Sequence, residues 1–395
     1  MGNSNEKCLN LIVLYFIIAP IEILLELLIG IKVYIIYALF IIFLFVYNKK
    51  YIKSINYKRN LLLLLFFLLY SARSLFIYKD FLYNWLGMCF LLFIYSLPWF
   101  YISNSIEDWK SFFEKCENKL NMIFLSNVIL FIGSLILHRR MLGNMEISYS
   151  ILPLMLMSLY MLFKGKNKIR SIIYFVFSLI LVVIVGSRGP LLCLLSFITL
   201  ILIINVKKTI KYFIPIILGF VIVIVNFQTI LNISIKILEE NNLSSRTLYK
   251  LKEHTIMTDT GRNKIQNVVK EQINSNWLVG SGIGGERIKV NEKIYNMQKD
   301  MNSCYPHNII LEVYSNYGII IGTFIILIIS IRIIYFNKNR SMEGKNVLAF
   351  FFSCEVIRLL VSSSYLRSPI FFIFLGILFY KKEKRYNYDS NSITN

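Results

Sequence analysis

Residues 169–206 read IRSIIYFVFSLILVVIVGSRGPLLCLLSFITLILIINV and are almost entirely apolar. Two apolar runs, Ile169–Val185 and Pro190–Val206, flank the short turn Gly186–Pro190. A helix needs about 17–25 apolar residues to cross the hydrocarbon core of a bilayer, so each run is long enough. The stretch therefore predicts two transmembrane helices joined by a tight turn, whose one cation is Arg188.

The composition of the whole chain extends this prediction. Of the 395 residues, 56% are hydrophobic and 15% aromatic, and the mean hydropathy is +0.61, whereas a soluble protein is about 45–50% apolar. A water-soluble fold is excluded, because it could not bury that much apolar surface. We predict an all-α polytopic membrane protein with about 12 transmembrane helices and one large extracytoplasmic loop.

The predicted spans start with a run that carries Glu22 and Glu26 and has no small-residue cleavage site, so no signal peptide is expected. The last span is short. The twelve runs lie near Leu9–Ile29, Val33–Tyr47, Leu61–Tyr78, Phe81–Tyr101, Leu120–Leu137, Ile147–Phe163, Ile169–Val185, Pro190–Val206, Tyr212–Leu231, Tyr317–Phe336, Val347–Ser363 and Pro369–Tyr380.

Lysine and arginine predict the orientation, because loops that stay in the cytoplasm carry the excess of positive charge. Alternate connections and both ends of the chain are basic. The residues are Lys7, then Lys49, Lys50, Lys53, Lys58 and Arg59, then Lys164, Lys166, Lys168 and Arg170, then Lys207, Lys208 and Lys211, then Lys338, Arg340 and Lys345, and finally Lys381, Lys382, Lys384 and Arg385. Both termini are therefore predicted to be cytoplasmic. The net charge of +21 reflects this topology and an affinity for the phospholipid bilayer, and no nucleic-acid partner is expected.

The predicted topology leaves one long segment outside the membrane. We divide the chain into helices 1–9 at residues 1–231, an extracytoplasmic loop at residues 232–306, helices 10–12 at residues 307–380 and a polar cytoplasmic tail at residues 381–395. After the candidate N-cap Thr258–Thr260, the loop shows helical spacing of apolar residues, which predicts an amphipathic helix on the outer ends of the bundle. These residues are Ile265, Val268, Val269, Ile273 and Trp277.

Two cations outside the membrane are candidates for binding an anion. Arg262 falls in the first turn of the loop helix, where the helix dipole favours acids, and a docked anion would satisfy both the free N–H groups and the guanidinium. A surface arginine without this role is the alternative. The predicted topology does not require a cation in the short outer turn that contains Arg188. The planar guanidinium of Arg188 suits bidentate binding of pyrophosphate oxygens.

The glycine motif Gly280–Gly285 matches GxGxxG by letter, but no strand or βαβ unit surrounds it, so a dinucleotide site is excluded. The glycines instead predict a tight, left-handed backbone course at the membrane surface. The six cysteines show no metal-ligand spacing, so neither a zinc site nor a disulfide framework is expected.

The charged residues inside the predicted helices lie at a similar depth in the membrane. Glu22, Glu26, Arg73, Glu355 and Arg358 all lie toward the outer ends of their helices. Charges are costly in a bilayer and tend to face a protein interior or a water-filled cavity. Structural pairing, such as Glu355 with Arg358 at i, i+3, is one interpretation, and a functional site is the other.

Together these motifs resemble the O-antigen ligase and polymerase superfamily of bacterial envelope polysaccharide assembly. The resemblance spans Ile169–Phe336. Three blocks carry it: Gly186-Ser187-Arg188-Gly189-Pro190-Leu191-Leu192; Thr260-Gly261-Arg262 with Gly280-Ser281-Gly282-Ile283-Gly284; and Pro306-His307-Asn308-Ile309-Ile310-Leu311-Glu312 running into Tyr317-Gly318-Ile319-Ile320-Ile321-Gly322. It implies a GT-C-like glycosyltransferase bundle in the bacterial cytoplasmic membrane. Such an enzyme moves a glycan from undecaprenyl pyrophosphate to an acceptor hydroxyl at the outer face, without a metal, a nucleotide sugar or another cofactor.

The resemblance also implies roles for individual residues. Arg188 and Arg262 match the arginines that bind the substrate pyrophosphate, and His307 matches the catalytic histidine. Preorganised cations suit this chemistry, because the pyrophosphate gains negative charge as the glycosidic bond breaks. For His307, a polar residue at a helix entrance is the alternative interpretation. The residues expected to support the site are Arg73, Arg358 and Glu312.

Members of this superfamily differ in their acceptor. A polymerase joins repeat units on the lipid carrier, whereas a ligase hands the finished chain to another acceptor. We favour a polymerase, because polymerases diverge more widely, and a ligase is the alternative. A lipid-glycan flippase would require charges through the whole membrane depth and repeated halves, which the sequence does not show. The implied partners are undecaprenyl-pyrophosphate-linked glycans, a flippase and a chain-length regulator.

Overall fold

The computed structural model describes residues 2–29, 57–137, 145–185, 187–205, 227–240, 261–298, 301 and 304–380. Every regular element in this part of the chain is helical. The helices of the first half are α1 Gly2–Ile29, α2 Tyr57–Ile77, α3 Leu82–Phe90, α4 Leu97–Asn104, α5 Phe112–Leu137, α6 Met145–Lys164, α7 Lys168–Val185 and α8 Gly189–Ile204. Those of the second half are α9 Phe227–Glu240, α10 Arg262–Ser275, α11 Gly285–Tyr295, α12 Ile309–Asn339, α13 Met342–Phe351, α14 Ile357–Val361 and α15 Pro369–Phe379.

Four short segments complete the described helices. The chain forms π-helical turns at Leu91–Ser96, between α3 and α4, and at Phe352–Val356, between α13 and α14. It forms 3-10 turns at Lys79–Phe81 and Tyr365–Arg367. The π turns make α3–α4 and α13–α14 continuous helical rods, each with one locally widened turn.

Six helical segments of the described residues are long and apolar enough to cross a membrane: Asn5–Leu28, Trp85–Asn104, Phe112–Leu137, Met145–Lys164, Lys168–Val185 and Ile309–Asn339. Three shorter apolar helices accompany them, at Leu61–Ile77, Gly189–Ile204 and Pro369–Phe379. The predicted polytopic α-helical membrane fold is confirmed. The predicted span Val33–Tyr47 and most of Tyr212–Leu231 lie outside the described residues.

The helices bury an aromatic core and keep large apolar side chains on their outer faces. α1 packs against α5, α6 against α7, and α4 against α15. Trp99, Phe112 and Phe350 are fully buried in the core. Phe76 and Phe324 face outward with 74% and 64% of their surface exposed. Apolar faces of this kind suit lipid, which is as apolar as the side chains themselves.

The glycine motif forms a loop that docks on two apolar helices. Gly280 and Gly282 have φ angles of +73° and +82°, as predicted for a left-handed course. A Cβ on Gly282 would lie 2.5 Å from the Ser74 amide nitrogen of α2, so only glycine fits there. The loop amides of Gly282 and Ile283 donate to the carbonyls of Asn316 and Tyr70, which fixes the loop against α12 and α2.

The predicted amphipathic helix is α10, which begins at Arg262. Its N-cap is Gly261, with φ +78° and no side-chain cap, and the predicted cap Thr258–Thr260 lies outside the described residues. Trp277 was wrongly placed on the buried face. α10 ends at Ser275, so Trp277 leaves the helical register and is 52% exposed. The buried face of α10 consists of Ile265, Val269, Gln272 and Ile273.

Candidate active site

Two predicted site residues meet at a turn near the end of the chain. We define the 361–364 turn as Val361, which is the last residue of α14, together with the following Ser362, Ser363 and Ser364. The Nη1 atom of Arg262 donates to the Val361 carbonyl at 3.1 Å. The Nδ1 atom of His307 lies 3.0 Å from the carbonyl of Ser362. Consecutive carbonyls of one turn therefore position both side chains.

The hydrogen bond of His307 defines the tautomer of its ring. A carbonyl oxygen only accepts, so Nδ1 must carry the hydrogen, and in the neutral ring Nε2 is then the nitrogen that can accept a proton. His307 also has a left-handed backbone, with φ +55°, which is uncommon outside glycine. The Tyr305 ring packs 4.4 Å from the imidazole, and Asn308 caps α12 through its side-chain oxygen. The histidine is thus held in a defined orientation at the entrance of α12.

The helix α8 places Arg188 near the same region. Arg188 is the exposed N-cap residue of α8, and the following Gly189 lies directly against the Tyr149 hydroxyl, where a Cβ would overlap the oxygen. The guanidinium of Arg358 lies 4.5 Å above the Tyr149 ring. Tyr149 of α6 therefore joins the start of α8 to α14, the helix that leads into the 361–364 turn.

The first residue of α6 completes this arrangement. The sulfur of Met145 lies 3.7 Å from Nη2 of Arg262 and 3.4 Å from the Ser362 hydroxyl. The N-terminal turn of α6 thus lies beside Arg262 and the 361–364 turn, and through Tyr149 beside the start of α8 as well.

The residues predicted to support the site occupy three different positions. Arg358 pairs with Glu355 at 3.4 Å, which confirms the predicted i, i+3 pair, and it also contacts Tyr149. Arg73 donates through Nε to the Gly280 carbonyl at 2.9 Å and so holds the glycine loop, rather than the 361–364 turn. Glu312 belongs to a buried polar cluster with Arg287 and Glu286.

Glu312 anchors the end of the 361–364 turn. It accepts hydrogen bonds from the Ser364 hydroxyl and, at 3.3 Å, from the Tyr365 amide. Arg287 of α11 lies 3.4 Å from Glu312 and 3.4 Å from Glu286, and all three charged side chains are fully buried. One guanidinium therefore faces two carboxylates, and this cluster links α11, α12 and the turn that holds Arg262 and His307.

We expect Arg287→Met to destabilise the protein by about 3–5 kcal/mol, because it leaves the buried Glu312 carboxylate without its cation. Thermal unfolding of the purified protein in detergent measures the effect. The matched control is Lys289→Met on the same helix, which breaks a half-exposed pair with Glu292 and should cost at most about 1 kcal/mol. Equal unfolding temperatures for the two variants would show that the buried cluster does not stabilise the fold.

The same cluster predicts a pH dependence of stability. Burial, and then the nearby Glu312, raise the pKa of Glu286 from 4.5 to about 8. The folded protein keeps a proton that the unfolded chain releases between pH 4.5 and 8, so stability should fall as pH rises through this window. The slope contributed by Glu286 is at most about 1.4 kcal/mol per pH unit. In thermal unfolding series from pH 5 to 8, Glu286→Gln should flatten the slope and the exposed control Glu292→Gln should not. Parallel series for wild type and Glu286→Gln would contradict this assignment.

Sequence reasoning missed several residues at the site. Arg367 donates to the Tyr305 hydroxyl at 2.8 Å and pairs with Glu146 of α6 at 3.3 Å. Tyr149 and Ser362 were missed as well. Tyr305 lies two residues before His307, which was a usable signal. The other four residues gave no signal, because their neighbours are distant in the sequence. In the described part of the chain, no group of His, Cys, Asp and Glu side chains could hold a metal ion.

Comparison with known proteins supports the resemblance. Residues 173–327 match the family described as O-antigen ligase. The matched segment includes Arg188, Arg262 and His307, and it contains all three sequence blocks on which the resemblance rests. Over residues 173–327 the match supports the predicted resemblance to the O-antigen ligase and polymerase superfamily. No curated protein matches the chain.

Proposed function

We propose that this protein, whose residues 173–327 match the O-antigen ligase family, is a polymerase that joins undecaprenyl-pyrophosphate-linked repeat units at the outer face of the bacterial cytoplasmic membrane. The observation that carries the proposal is the meeting of Arg262 and His307 on consecutive carbonyls of the 361–364 turn. A cation and a proton acceptor that are held by the same turn suit a reaction in which a pyrophosphate leaves and a hydroxyl attacks.

The proposed reaction balances without a metal or another cofactor. The acceptor hydroxyl oxygen forms a bond to C1 of the donor sugar and gives its proton to Nε2 of His307. The bond between C1 and the pyrophosphate oxygen breaks, and undecaprenyl pyrophosphate leaves with the electron pair. Arg262 and Arg188 stabilise the charge that develops on the pyrophosphate, as fixed cations do for charge that appears in a transition state.

A ligase is the second candidate, because the matched family is described by that activity. Deleting the gene in its host and analysing the envelope glycan separates the candidates. Single-repeat glycans are the expected result for a polymerase. Long chains that remain on the lipid carrier would instead indicate a ligase, and unflipped cytoplasmic units would indicate a flippase.

The proposal includes the full topology: about 12 transmembrane helices with cytoplasmic termini and the loop at residues 232–306 outside. We expect cysteines placed in Lys49–Arg59 to resist an impermeant thiol reagent in whole cells and cysteines placed in Asn241–Asn276 to react. Labelling after permeabilisation is the control, since both sets should then react. The reverse pattern in intact cells would contradict the topology.

A further inference from the structure

Three adjacent apolar side chains lie exposed between the end of α10 and the glycine loop. They are Trp277, Leu278 and Val279, whose exposed fractions are 52%, 49% and 36%, and we call them the 277–279 patch. Single exposed apolar residues are common on protein surfaces, but a contiguous apolar group usually marks a binding surface. This patch belongs to the segment at residues 232–306 that the predicted topology places outside the membrane. Its exposure there calls for an apolar partner.

A kink in α12 holds the 277–279 patch in place. Gly318 interrupts the helical backbone of α12 with a φ angle of +80°. A Cβ on Gly318 would lie 2.5 Å from the Leu278 carbonyl oxygen, so the two backbones are in direct contact and only glycine fits there. The Ile319 amide donates to the Trp277 carbonyl at 2.7 Å. The patch is thus fixed at the level of residues 318–319 of α12.

The outward apolar stripe of α12 begins at the same level. Its exposed members recur every three or four residues and therefore share one face of the helix. They are Ile320, Phe324, Leu327, Ile331 and Ile334. On a helix long and apolar enough to span a membrane, such a face contacts lipid. Because the patch is hydrogen-bonded to the residue directly before this stripe, it continues the lipid-facing surface of α12.

The thickness of a bilayer places the patch independently. The hydrocarbon core is about 30 Å thick and takes about 20 helical residues. Lys338, in the last turn of α12, marks one edge of the core, because a cation there reaches the headgroups. Counting back about 20 residues from Lys338 reaches Gly318, at the level of the 277–279 patch. Counting from Arg332 instead would move the opposite edge further out and leave the patch inside the core.

The side chains and the backbone of this turn suit the edge of the core. Tryptophan is enriched where headgroups meet hydrocarbon, because its ring is apolar and its N–H is polar. Backbone groups at this depth need partners within the protein, since lipid supplies none. The Trp277 carbonyl accepts from the Ile319 amide. The Gly280 amide donates to the Asn276 carbonyl at 2.9 Å, and the Gly280 carbonyl accepts from Nε of Arg73 at 2.9 Å. The turn can therefore meet lipid with these groups paired.

We infer that the 277–279 patch binds the lipid bilayer at its interface and anchors the segment between α10 and α11 to the membrane. The chain thus returns to the bilayer surface after α10, within a segment that the sequence placed outside. A second copy of this chain is a weaker candidate for covering the patch, because it would also have to displace lipid from the adjoining stripe of α12. The anchor concerns the contact of the protein with its membrane and is independent of the proposed glycosyl transfer.

Quenching of tryptophan fluorescence in lipid vesicles tests the anchor. The purified protein is reconstituted into phosphatidylcholine vesicles with or without bromine on the acyl chains near the headgroup, and acrylamide measures access from water. Leu278→Trp adds a reporter to the patch, and the matched control Lys270→Trp adds one to an exposed site of α10. Trp277→Phe removes the native reporter from the patch. Size-exclusion chromatography verifies that each variant is folded.

The emission that Leu278→Trp adds to that of wild type should lose most of its intensity in brominated vesicles and should resist acrylamide. The emission that Lys270→Trp adds should show the opposite pattern. Trp277→Phe should reduce the part of the wild-type emission that bromine quenches, and an unchanged part would contradict the anchor. Quenching of the Leu278→Trp reporter by acrylamide alone would overturn it, because the patch would then face water. Resistance of that reporter to both quenchers would also overturn it and would indicate a covering protein surface, such as a second copy.

Discussion

Arg188→Ala is expected to lower glycosyl transfer by about 10³–10⁵-fold, the range that arginines contribute when they stabilise a departing phosphate. Arg188 is the exposed N-cap residue of α8, where its guanidinium and the free helix N–H groups can bind the same anion. Arg188→Lys should restore little, because lysine keeps the charge but loses the planar fork. Turnover of a lipid-linked donor by the purified variants measures both effects.

The matched control for Arg188 is Lys168→Ala. Lys168 is an exposed cation at the opposite end of α7, the helix that leads into the Arg188 turn. Its loss changes the net charge by the same amount and should leave turnover close to that of wild type. Wild-type turnover in Arg188→Ala would remove this arginine from the site.

His307→Ala should lower turnover by about 10²–10⁴-fold, the usual contribution of a general base, with insertion and donor binding retained. The Ser362 carbonyl accepts from Nδ1, so the neutral ring presents Nε2 as the proton acceptor. His307→Gln should do no better than alanine, because an amide forms hydrogen bonds but does not take a proton.

The pH profile gives a second measurement for His307. Turnover by wild type should rise as the imidazole loses its proton, and the residual turnover of His307→Ala should lack that rise. Near-normal turnover of the glutamine variant would refute the base role and would leave His307 as a hydrogen-bond donor to a phosphate or sugar.

Much of the local structure was predictable, because it depends on residues close together in the sequence. The left-handed glycines of the loop, the start of α10 at Arg262 and the Glu355–Arg358 pair all follow from spacing along one segment. The assembly of the site was not predictable in this way. The 361–364 turn holds Arg262 and His307 through backbone carbonyls. The order of side chains in the sequence does not indicate which backbone carbonyl will face a distant residue.

The buried cluster shows the same division. The motif identified Glu312, but nothing in the sequence pattern distinguished its partner Arg287 on α11. Similarly, the charges at one level of the membrane were recognised, whereas Glu146 and Arg367 were not grouped with them. Pairing across elements depends on the packing of α6 against the segment after α14, and periodicity within one helix carries no information about that packing.

The π turns at Leu91–Ser96 and Phe352–Val356 affect how such a protein can evolve. Each contributes a side chain to a polar cavity that α1 and α6 also line, Tyr95 from Leu91–Ser96 and Glu355 from Phe352–Val356. A π turn takes one more residue than an α turn for nearly the same rotation, so deleting a single codon there would restore an ordinary helix in which the residues beyond the turn keep their faces. For the second turn, Arg358 would keep its place over Tyr149 while the side chains within Phe352–Val356 change position. A one-codon length change thus gives lineages a single-step route to remodel the cavity while the surrounding membrane helices keep their sequence.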